Sequence, residues 1–483
     1  MYFLFFLLMF LSSIAFVTNL WILGSTSFYY NLLDVFTEDS LFCSLQTCCC
    51  QVQQCSAFDA LDPNGNITIK WDVMAWTGDG YEATVTMYNW QLYRHIDSPG
   101  WVLGWSWAKK EIIWNMVGAQ ATEQGDCSKI LGGTIPHCCA PTPQIVDLLP
   151  GVPYSSQTAN CCRGGVLSAF AQDPANSVSS FIITVGRSGA TNTSVVLPKN
   201  FTLAGPGPGY SCSPAVVVPK TKFLSPDKRR TTLALMTWNL TCSYSQPQAQ
   251  KAPSCCVSFS AFYNSTIIPC PTCACDCPTN GTSSAVASLT TNQHCIDRND
   301  PQPLLATSKN TGPLAPDMLF CTQDMCPVKI HWHIKLNYQD YWRVKITITN
   351  RDLSRNYTLW NMVAQHPNFE NFTEAFSFSY KALNPYGGSS NNTALFWGVK
   401  YYNDMLMQGG PDGNVQSEIL FRKDPSFTLA NGWAFPHKIL FNGDECVLPG
   451  PDQYPSLPSG TTIPRVGVLM VLLLVMFALA ALL

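Results

Sequence analysis

Charged residues are scarce in this 483-residue chain, at 12% of the sequence, and the formal net charge is −3. A nucleic-acid partner requires a basic surface. The chain has 28 Lys and Arg against 31 Asp and Glu, so we expect no nucleic acid to bind. Disorder is excluded as well, because 46% of the residues are hydrophobic and 12% are aromatic. The length is sufficient for two or three hydrophobic cores.

Catalytic motifs are also missing: no Ser/His/Asp elbow, phosphate-binding glycine loop or His-based metal motif occurs. His331 and His333 would place both imidazoles on one strand face, but a third metal ligand is not identifiable. A glycoside hydrolase or transglycosylase would require two carboxylates at a defined separation. The acidic residues near the aromatic region described below are Asp72, Asp79, Glu111 and Asp126. Sequence cannot place any two of them across a cleft. We therefore expect no catalytic residue, cofactor or metal, and we keep a carbohydrate-active enzyme as the alternative.

Both ends of the sequence lack charge. The first 33 residues have no charged side chain, and residues 1–16 are almost wholly apolar, as in a signal peptide, although the first basic residue is Lys70. Residues 466–483 are uncharged and follow small polar residues at 456–462, the pattern of a glycosylphosphatidylinositol (GPI) attachment signal. We predict Ser459 as the attachment residue, with Ser456 as the alternative. A tail-anchored membrane helix is the competing interpretation, since a spanning helix needs about 20 apolar residues.

Cysteine is abundant, with 22 residues. In a cytosolic protein the closely spaced Cys270, Cys273, Cys275 and Cys277 would suggest a metal cluster. In an exported protein the same spacing indicates disulfides, which we favour, although the pairing cannot be deduced. Asn-X-Ser/Thr sequons predict a glycosylated extracellular surface. They lie at Asn66, Asn192, Asn200, Asn239, Asn264, Asn280, Asn356, Asn371 and Asn391.

Two segments of the chain align without a gap at an offset of 261 residues. Residues 67–89 match residues 328–350, including Trp71 with Trp332, and Trp114 recurs later as Trp360. Both segments alternate apolar and polar residues with period two between turn signals, which indicates antiparallel strands. We predict an all-β fold in which tandem related antiparallel β-sandwich units flank a cysteine-rich middle region. Trp71 and Trp114 are expected to lie in the core.

These patterns predict six regions. They are a leader at 1–56, a carbohydrate-binding-module-like sandwich at 57–195, a cysteine-rich middle region at 196–324, a second sandwich at 325–447, a linker with the anchor-attachment site at 448–465, and a tail at 466–483 that is removed on GPI attachment.

The first unit carries aromatic residues that the second lacks. Asn337, Thr349 and Arg351 stand in the second copy where the first has tryptophan or tyrosine on the polar side of its strands. Fifteen extra residues between Asn89 and Trp114 add further rings, and three of these have one parity and so project from one strand face. Flat exposed rings can stack on sugar rings at low ordering cost, so cellulose or a related β-glucan is the predicted partner. The candidate carbohydrate-binding residues are Trp76, Tyr88, Trp90, Tyr93, Trp101, Trp105 and Trp107.

Burial of these rings is the alternative to binding. They would then pack under a loop or between domains. Leu103, on the same strand face as Trp101 and Trp105, favours burial for that group.

Several longer motifs resemble those of the plant COBRA-like proteins. They are Cys255-Cys256-Val257-Ser258, Asp-Pro-Asn-Gly-Asn-Ile-Thr-Ile-Lys-Trp at 62–71, Gly-Pro-Gly-Pro-Gly-Tyr at 205–210 and Phe-Asn-Gly-Asp-Glu-Cys at 441–446. The resemblance covers roughly residues 57–483. It implies a GPI-anchored protein on the outer plasma-membrane face and in the wall, linked to cellulose deposition, microfibril orientation and oriented cell expansion. The family's N-terminal region is described as a carbohydrate-binding module that contacts cellulose through aromatics. A disulfide-rich scaffold that binds protein is a further alternative.

Overall fold

The computed structural model describes residues 59–130, 133–188, 195–224, 227, 229–249, 253–262, 264–271, 295–296, 319–320, 326–338, 340–352, 355–384, 392–423 and 434–454. The predicted leader, the apolar tail and both candidate anchor residues, Ser456 and Ser459, lie outside these ranges. Within them, no helix has the length and apolar character to cross a membrane.

The first half of the chain forms a β-sandwich. Its strands are β1 (Ile67–Trp76), β2 (Tyr81–Asn89), β3 (Val102–Ser106), β4 (Ile112–Val117), β5 (Ala119–Ala121), β6 (Gln144–Asp147), β7 (Val178–Gly186), β8 (Lys199–Ala204), β9 (Tyr210–Cys212), β10 (Val216–Val218), β11 (Lys222–Leu224), β12 (Thr231–Leu233) and β13 (Met236–Tyr244). The larger sheet has the order β10-β13-β1-β2-β7-β4, with β9 also on β13, and the smaller sheet has the order β5-β6-β3-β8. Strands β11 and β12 form a separate hairpin. Short 3-10 turns lie at Tyr154–Ser156 and Pro174–Asn176.

A short helix, α1 (Gln246–Ala249), precedes the second sandwich. Its strands are β14 (Cys255–Ala261), β15 (Asn264–Ile268), β16 (Cys295–Ile296), β17 (Leu319–Phe320), β18 (Val328–Asn337), β19 (Tyr341–Asn350), β20 (Asn361–Gln365), β21 (Phe372–Ala375), β22 (Phe378–Leu383), β23 (Thr393–Gly398), β24 (Asn414–Arg422), β25 (Lys438–Phe441) and β26 (Asp444–Glu445). The larger sheet has the order β15-β14-β18-β19-β24-β21 and the smaller β22-β23-β20-β25-β26, while β16 and β17 pair separately. Further 3-10 turns lie at Pro367–Asn371 and Pro451–Gln453.

The all-β fold and the duplication are confirmed. Strands β1 and β2 pair from Ile67 opposite Asn89, and β18 and β19 pair in the same register from Val328 opposite Asn350. Both pairs also shift register at the same place, between Val73 and Ala75 in the first copy and 261 residues later in the second. The period-two pattern produces this result because every second side chain faces the core.

Among the described residues of the predicted middle region, most strands belong to the sheets of the two sandwiches, and only β11–β12 and β16–β17 pair separately. Strands β8, β9, β10 and β13 belong to the sheets of the first sandwich, and β14 and β15 belong to the larger sheet of the second. Strand β13 pairs antiparallel with β1, whereas β14 runs parallel to β18. The boundaries at 195 and 325 are therefore wrong as limits of the two sandwiches, because sheet completion uses strands that are distant in sequence.

The two cores differ at one of the duplicated tryptophans. Trp71 and Trp332 are both fully buried, as predicted. Trp360 is buried too, but Trp114 is only half-buried, and its indole N–H donates to Asp79 at 3.3 Å. The expectation of a core position is thus wrong for Trp114, which lies on strand β4 at the edge of its sheet.

The two sandwiches meet at a joint built on the loop at 91–97. Arg94 donates to the Asp444 carboxylate at 2.8 Å and to the Gly443 carbonyl, and its guanidinium lies 3.7 Å from the ring centroid of Tyr244. Its counterpart at the offset of 261 is Arg355, which pairs with Asp97 at 3.2 Å. Each copy therefore extends an arginine into the other sandwich, but the first pair is more deeply buried.

Residues of three COBRA-like motifs lie at this joint. Asp62 accepts a hydrogen bond from the Leu92 backbone at 2.7 Å. Tyr210 packs against the Tyr244 ring at 5.2 Å, and Asp444 pairs with Arg94. The motifs at 62–71, 205–210 and 441–446 thus contribute to one interface. Their local sequence patterns could not show this, because the joint brings together distant parts of the chain.

Disulfides connect described cysteines as predicted for an exported chain. The pairs are Cys127–Cys139, Cys161–Cys162, Cys212–Cys242, Cys255–Cys446 and Cys256–Cys270. Of the closely spaced cysteines, Cys270 is therefore disulfide-bonded, and Cys273, Cys275 and Cys277 lie outside the described residues. No cluster of metal-ligating side chains occurs among the residues that the structure describes.

Candidate carbohydrate-contact site

An aromatic cluster lies on the outer side of the first sandwich at one end of β1 and β2. Tyr88 and Trp90 stack with ring centroids 5.6 Å apart and planes 12° from parallel. Phe170 packs against Trp90 at 5.0 Å. Trp90 is 41% exposed, and Tyr88 and Phe170 are half-buried. We call these three residues the aromatic cluster. Its outermost ring, Trp90, is the most exposed of the three.

The backbone holds the aromatic cluster in place. The Trp90 N–H donates to the Asn66 carbonyl at 2.9 Å, and the Phe170 N–H donates to the Gln91 carbonyl at 2.8 Å. Lys70, on the same sheet face, places its ammonium 5.8 Å from the Tyr88 ring centroid. Rings fixed in this way lose little conformational freedom when they bind a ligand. Phe170 is not among the residues predicted from the sequence. It is identified only by its contact with Trp90 in the folded chain.

Trp76 does not join the aromatic cluster. It lies opposite Tyr81, whereas Tyr88 lies opposite Thr68, so the two positions are eight residues apart along β1, about 26 Å. Trp76 is half-buried and packs against the core of the sandwich. The expectation that Trp76 projects from the polar side of its strand is wrong, because beyond the register shift between Val73 and Ala75 it packs against the core. Of the three, only Tyr88 and Trp90 come together.

The expectation of outward rings is wrong for Trp101, Trp105 and Trp107. They are 1%, 2% and 9% exposed. Trp105 packs edge-on against Trp71 with ring centroids 5.3 Å apart, and Trp101 stacks on Phe181 at 6.0 Å. The three tryptophans are spaced by even numbers of residues, so they share one face of the extended segment around β3, as predicted. That face points toward the larger sheet and not toward solvent. Leu103, fully buried on this strand, was the signal that favoured burial.

Tyr93 is also buried, at 1% exposure, and lies in the joint between the sandwiches. Its hydroxyl donates to Asp59 at 2.6 Å, and its carbonyl accepts from the Asn361 amide at 2.9 Å. Tyr93 therefore cannot stack on a polymer in this arrangement. For Tyr93, the alternative given in the sequence analysis, that the ring packs between domains, is the correct one.

The acidic residues considered for hydrolysis have local structural partners. Asp72 is buried and accepts from the Thr237 hydroxyl at 2.8 Å, and Asp79 accepts from Trp114. Glu111 is buried and accepts from the Lys109 backbone N–H at 2.6 Å. Asp126 accepts from Ser128, which lowers the pKa of its carboxyl. Each of the four carboxylates thus accepts a hydrogen bond within the first sandwich.

Some residues singled out in the sequence meet on the second sandwich. Ser258, from the Cys-Cys-Val-Ser motif, lies 2.6 Å from His331 Nδ1. Ser260 lies 2.8 Å from His331 Nε2 and 2.7 Å from His333 Nδ1. The two imidazoles share one face, as predicted, and their partners are serine hydroxyls. The Cys255, Cys256 and Val257 side chains are buried.

Five sequon asparagines have described side chains at the surface. Asn200, Asn356 and Asn371 are exposed, and Asn66 and Asn239 are half-buried. Those at Asn192, Asn264, Asn280 and Asn391 lie outside the described side chains. Glycosylation of these sites stays a prediction.

Comparison with known proteins identifies the family. The family model of the COBRA N-terminal domain matches residues 81–245, and that of the COBRA family C-terminal domain matches residues 254–455. COBRA-like protein 3 of Oryza sativa subsp. japonica is 59% identical over 428 residues, 88% of this chain and 92% of that protein. The chain belongs to the COBRA family. Protein COBRA of Arabidopsis thaliana is 61% identical over 407 residues, 84% of this chain and 87% of that protein.

The two COBRA domain models agree with the sheet membership described above. The first ends at residue 245, just after β13, and the second begins at residue 254, just before β14. The aromatic cluster therefore lies in the COBRA N-terminal domain, and the Ser258–His331 contact lies in the COBRA C-terminal domain. The resemblance recognised from the sequence motifs is confirmed.

Proposed function

We propose that this COBRA-family chain is a non-catalytic, extracellular, GPI-anchored protein that binds cellulose and assists microfibril deposition and oriented cell expansion in the plant cell wall. The aromatic cluster is the observation that supports cellulose binding. A β-glucan presents flat, weakly polar ring faces, and the open face of Trp90 can stack on one of them, with Tyr88 and Phe170 as support.

The proposed cellulose contact is smaller than one made by a row of coplanar aromatic rings. One exposed indole backed by two aromatics can anchor a chain, while neighbouring polar groups such as Lys70 and Thr68 can bond sugar hydroxyls. A lipid anchor would keep many such molecules close to one surface and raise their effective concentration there. Weak individual contacts then suffice for retention on a microfibril.

Sedimentation with microcrystalline cellulose tests this contact. In the full chain, Trp90→Ala together with Tyr88→Ala should weaken binding by about tenfold, in line with loss of a buried aromatic anchor. Tyr154→Ala is the matched control, because Tyr154 is 90% exposed in the same sandwich and lies outside the aromatic cluster. Equal retention of the double variant and the unsubstituted chain, with unchanged circular dichroism, would reject the assignment.

The anchor requires its own test. Treatment of intact membranes with a phosphatidylinositol-specific phospholipase should release the protein. Mass analysis should show that its C-terminal peptide ends at Ser459 or Ser456. A Ser459→Leu variant should shift or abolish attachment. A peptide that extends through residues 466–483 would contradict the anchor while leaving cellulose binding open to the sedimentation test.

A further inference from the structure

The outer face of the larger sheet in the second sandwich carries a continuous set of polar side chains. Ser258 on β14 lies opposite His331 on β18, which lies opposite Thr347 on β19. In the next row Ser260 lies opposite His333, then Lys345, then Glu418 on β24. We call these residues the polar ladder: Ser258, Ser260, His331, His333, Lys345, Thr347 and Glu418. None of these residues belongs to the apolar core of the sandwich.

A hydrogen-bonded chain joins one side of the ladder. It runs from Ser258 through His331 and Ser260 to His333, with each contact between 2.6 and 2.8 Å. Ser258 and Ser260 are 0% and 6% exposed. All three contacts are satisfied when Ser258 donates to His331 Nδ1, His331 Nε2–H donates to Ser260 and Ser260 donates to His333 Nδ1. In this arrangement the proton of neutral His333 is on Nε2. Among the described residues this atom has no hydrogen-bond partner, so it is available to a ligand.

Cations outnumber carboxylates around this atom. Glu418 is paired with both Lys335 and Arg343. Lys345 lies directly across from His333 and forms no ion pair within the described part of the chain. The chain as a whole is slightly acidic, at −3, so a local excess of positive charge is a distinguishing feature of this face.

We propose that the polar ladder binds an acidic polysaccharide, with a uronate carboxylate held between the Lys345 ammonium and His333 Nε2. A carboxylate accepts from both donors, and a charge-assisted hydrogen bond is about twice as strong as a neutral one. Thr347 and the exposed Gln416, which lies opposite it on β24, can bond the hydroxyls of the same sugar. The flat face formed by four neighbouring strands suits an extended polymer.

Protonation of His333 should strengthen this contact. Burial and the positive charge of Lys345 and Lys335 lower the pKa of His333, and a bound carboxylate would raise it again. The other groups facing it are Ser260 from β14, His331 from its own strand, and Glu418 from β24. A sugar carboxylate stays ionised at pH 5, so binding should be tighter at pH 5 than at pH 7.

The site shares only the proposed extracellular location with cellulose binding, and it lies on the other sandwich. Calorimetry of the full chain with oligomers of galacturonic acid should show saturable binding. Lys345→Met should weaken it at least tenfold, whereas Lys400→Met, the same charge change at an exposed position of the second sandwich, should leave it unchanged. The methyl-esterified oligomer should bind neither the unsubstituted protein nor the variant.

Three results would overturn the inference. They are no binding by the unsubstituted protein, equal binding by Lys345→Met, and binding of polyphosphate as tight as that of galacturonate, which would indicate simple charge attraction. The cellulose assay separates the two proposals: Lys345→Met should still sediment with cellulose, and the Tyr88 and Trp90 double variant should still bind galacturonate. The thermal unfolding of each variant should match that of the unsubstituted protein, which shows that the variants are folded.

Discussion

The two sandwiches share buried residues at equivalent positions, which we call the frame, but their outer faces differ. Trp71 and Trp332 are both fully buried, and Asn89 and Asn350 make equivalent hydrogen bonds to the carbonyls of Arg94 and Arg355. On the outer faces, Arg343 replaces Glu82, Lys345 replaces Thr84 and Arg351 replaces Trp90. The frame tolerates little change because its volume is fixed by close packing. The outer positions make few packing demands, and each copy has acquired its own chemistry there.

The largest expected effect tests whether the frames are equivalent. Trp71→Ala and Trp332→Ala should each lower the free energy of unfolding by about 3–5 kcal/mol, since each removes a fully buried indole and leaves a cavity. Urea denaturation followed by circular dichroism measures this. Trp90→Ala serves as the control and should change stability by less than about 0.5 kcal/mol. A large cost in only one copy would show that the frames are not equivalent.

The joint provides a second comparison, between the two offset-related arginines. Arg94→Met should destabilise the protein by about 3 kcal/mol, because it leaves the buried Asp444 carboxylate without its guanidinium partner. Arg355→Met should cost less than about 1 kcal/mol, because its pair with Asp97 is more exposed.

Calorimetric unfolding is the measurement for this pair. We expect the Arg94 variant to unfold in two separate transitions as the sandwiches uncouple. Identical curves for the Arg94 and Arg355 variants would show that burial of the first pair does not determine the strength of the joint.

Acid should change stability in opposite directions through two buried groups, His331 and Asp62. Burial lowers the pKa of His331 to about 4, so between pH 6.5 and 4 the unfolded chain takes up a proton that the folded chain does not, and stability is lost as pH falls. Burial raises the pKa of Asp62 to about 6, so in the folded state it takes up a proton first, and stability is gained as pH falls from 6 to 3.8.

Unfolding measured from pH 7 to pH 4 in His331→Asn and Asp62→Asn tests these signs. Relative to the unsubstituted chain, the histidine variant should lose less stability on acidification and the aspartate variant should gain less. Each difference should be about 1–2 kcal/mol after allowance for solvent screening. A difference of the reverse sign in either variant would contradict the assigned burial effect.

The smallest expected effect transfers the aromatic pair to the second copy. In the chain that lacks Tyr88 and Trp90, Thr349→Tyr with Arg351→Trp should restore cellulose sedimentation by only about two- to threefold. The backbone N–H of Gly409 donates to Asp352 as that of Phe170 donates to Gln91, so glycine stands in the second copy where Phe170 supports Trp90. Thr349→Val with Arg351→Leu controls for added hydrophobicity. Restoration to the full original level would mean that the frame alone, without Phe170, is sufficient.

Sequence periodicity predicted the strands well where one face of the strand is apolar and the other is polar. The alternation in β1, β2, β18 and β19 led correctly to antiparallel strands and to the duplication. It failed for Trp101, Trp105 and Trp107, because parity shows that side chains share a face but does not show whether that face points inward. For Tyr93 the deciding contacts come from the second sandwich, far away along the chain.

By itself, the sequence determined which residues alternate, which segments are related and which family the motifs resemble, since these depend on local pattern and composition. The tertiary structure alone decided which faces are closed and which distant residues meet. Closure of β3 over the larger sheet buried three tryptophans, and the parallel pairing of β14 with β18 brought Ser258 to His331. Such contacts follow from the packing of whole sheets, and the free energy of burying one face is settled only when the opposing layer is in place.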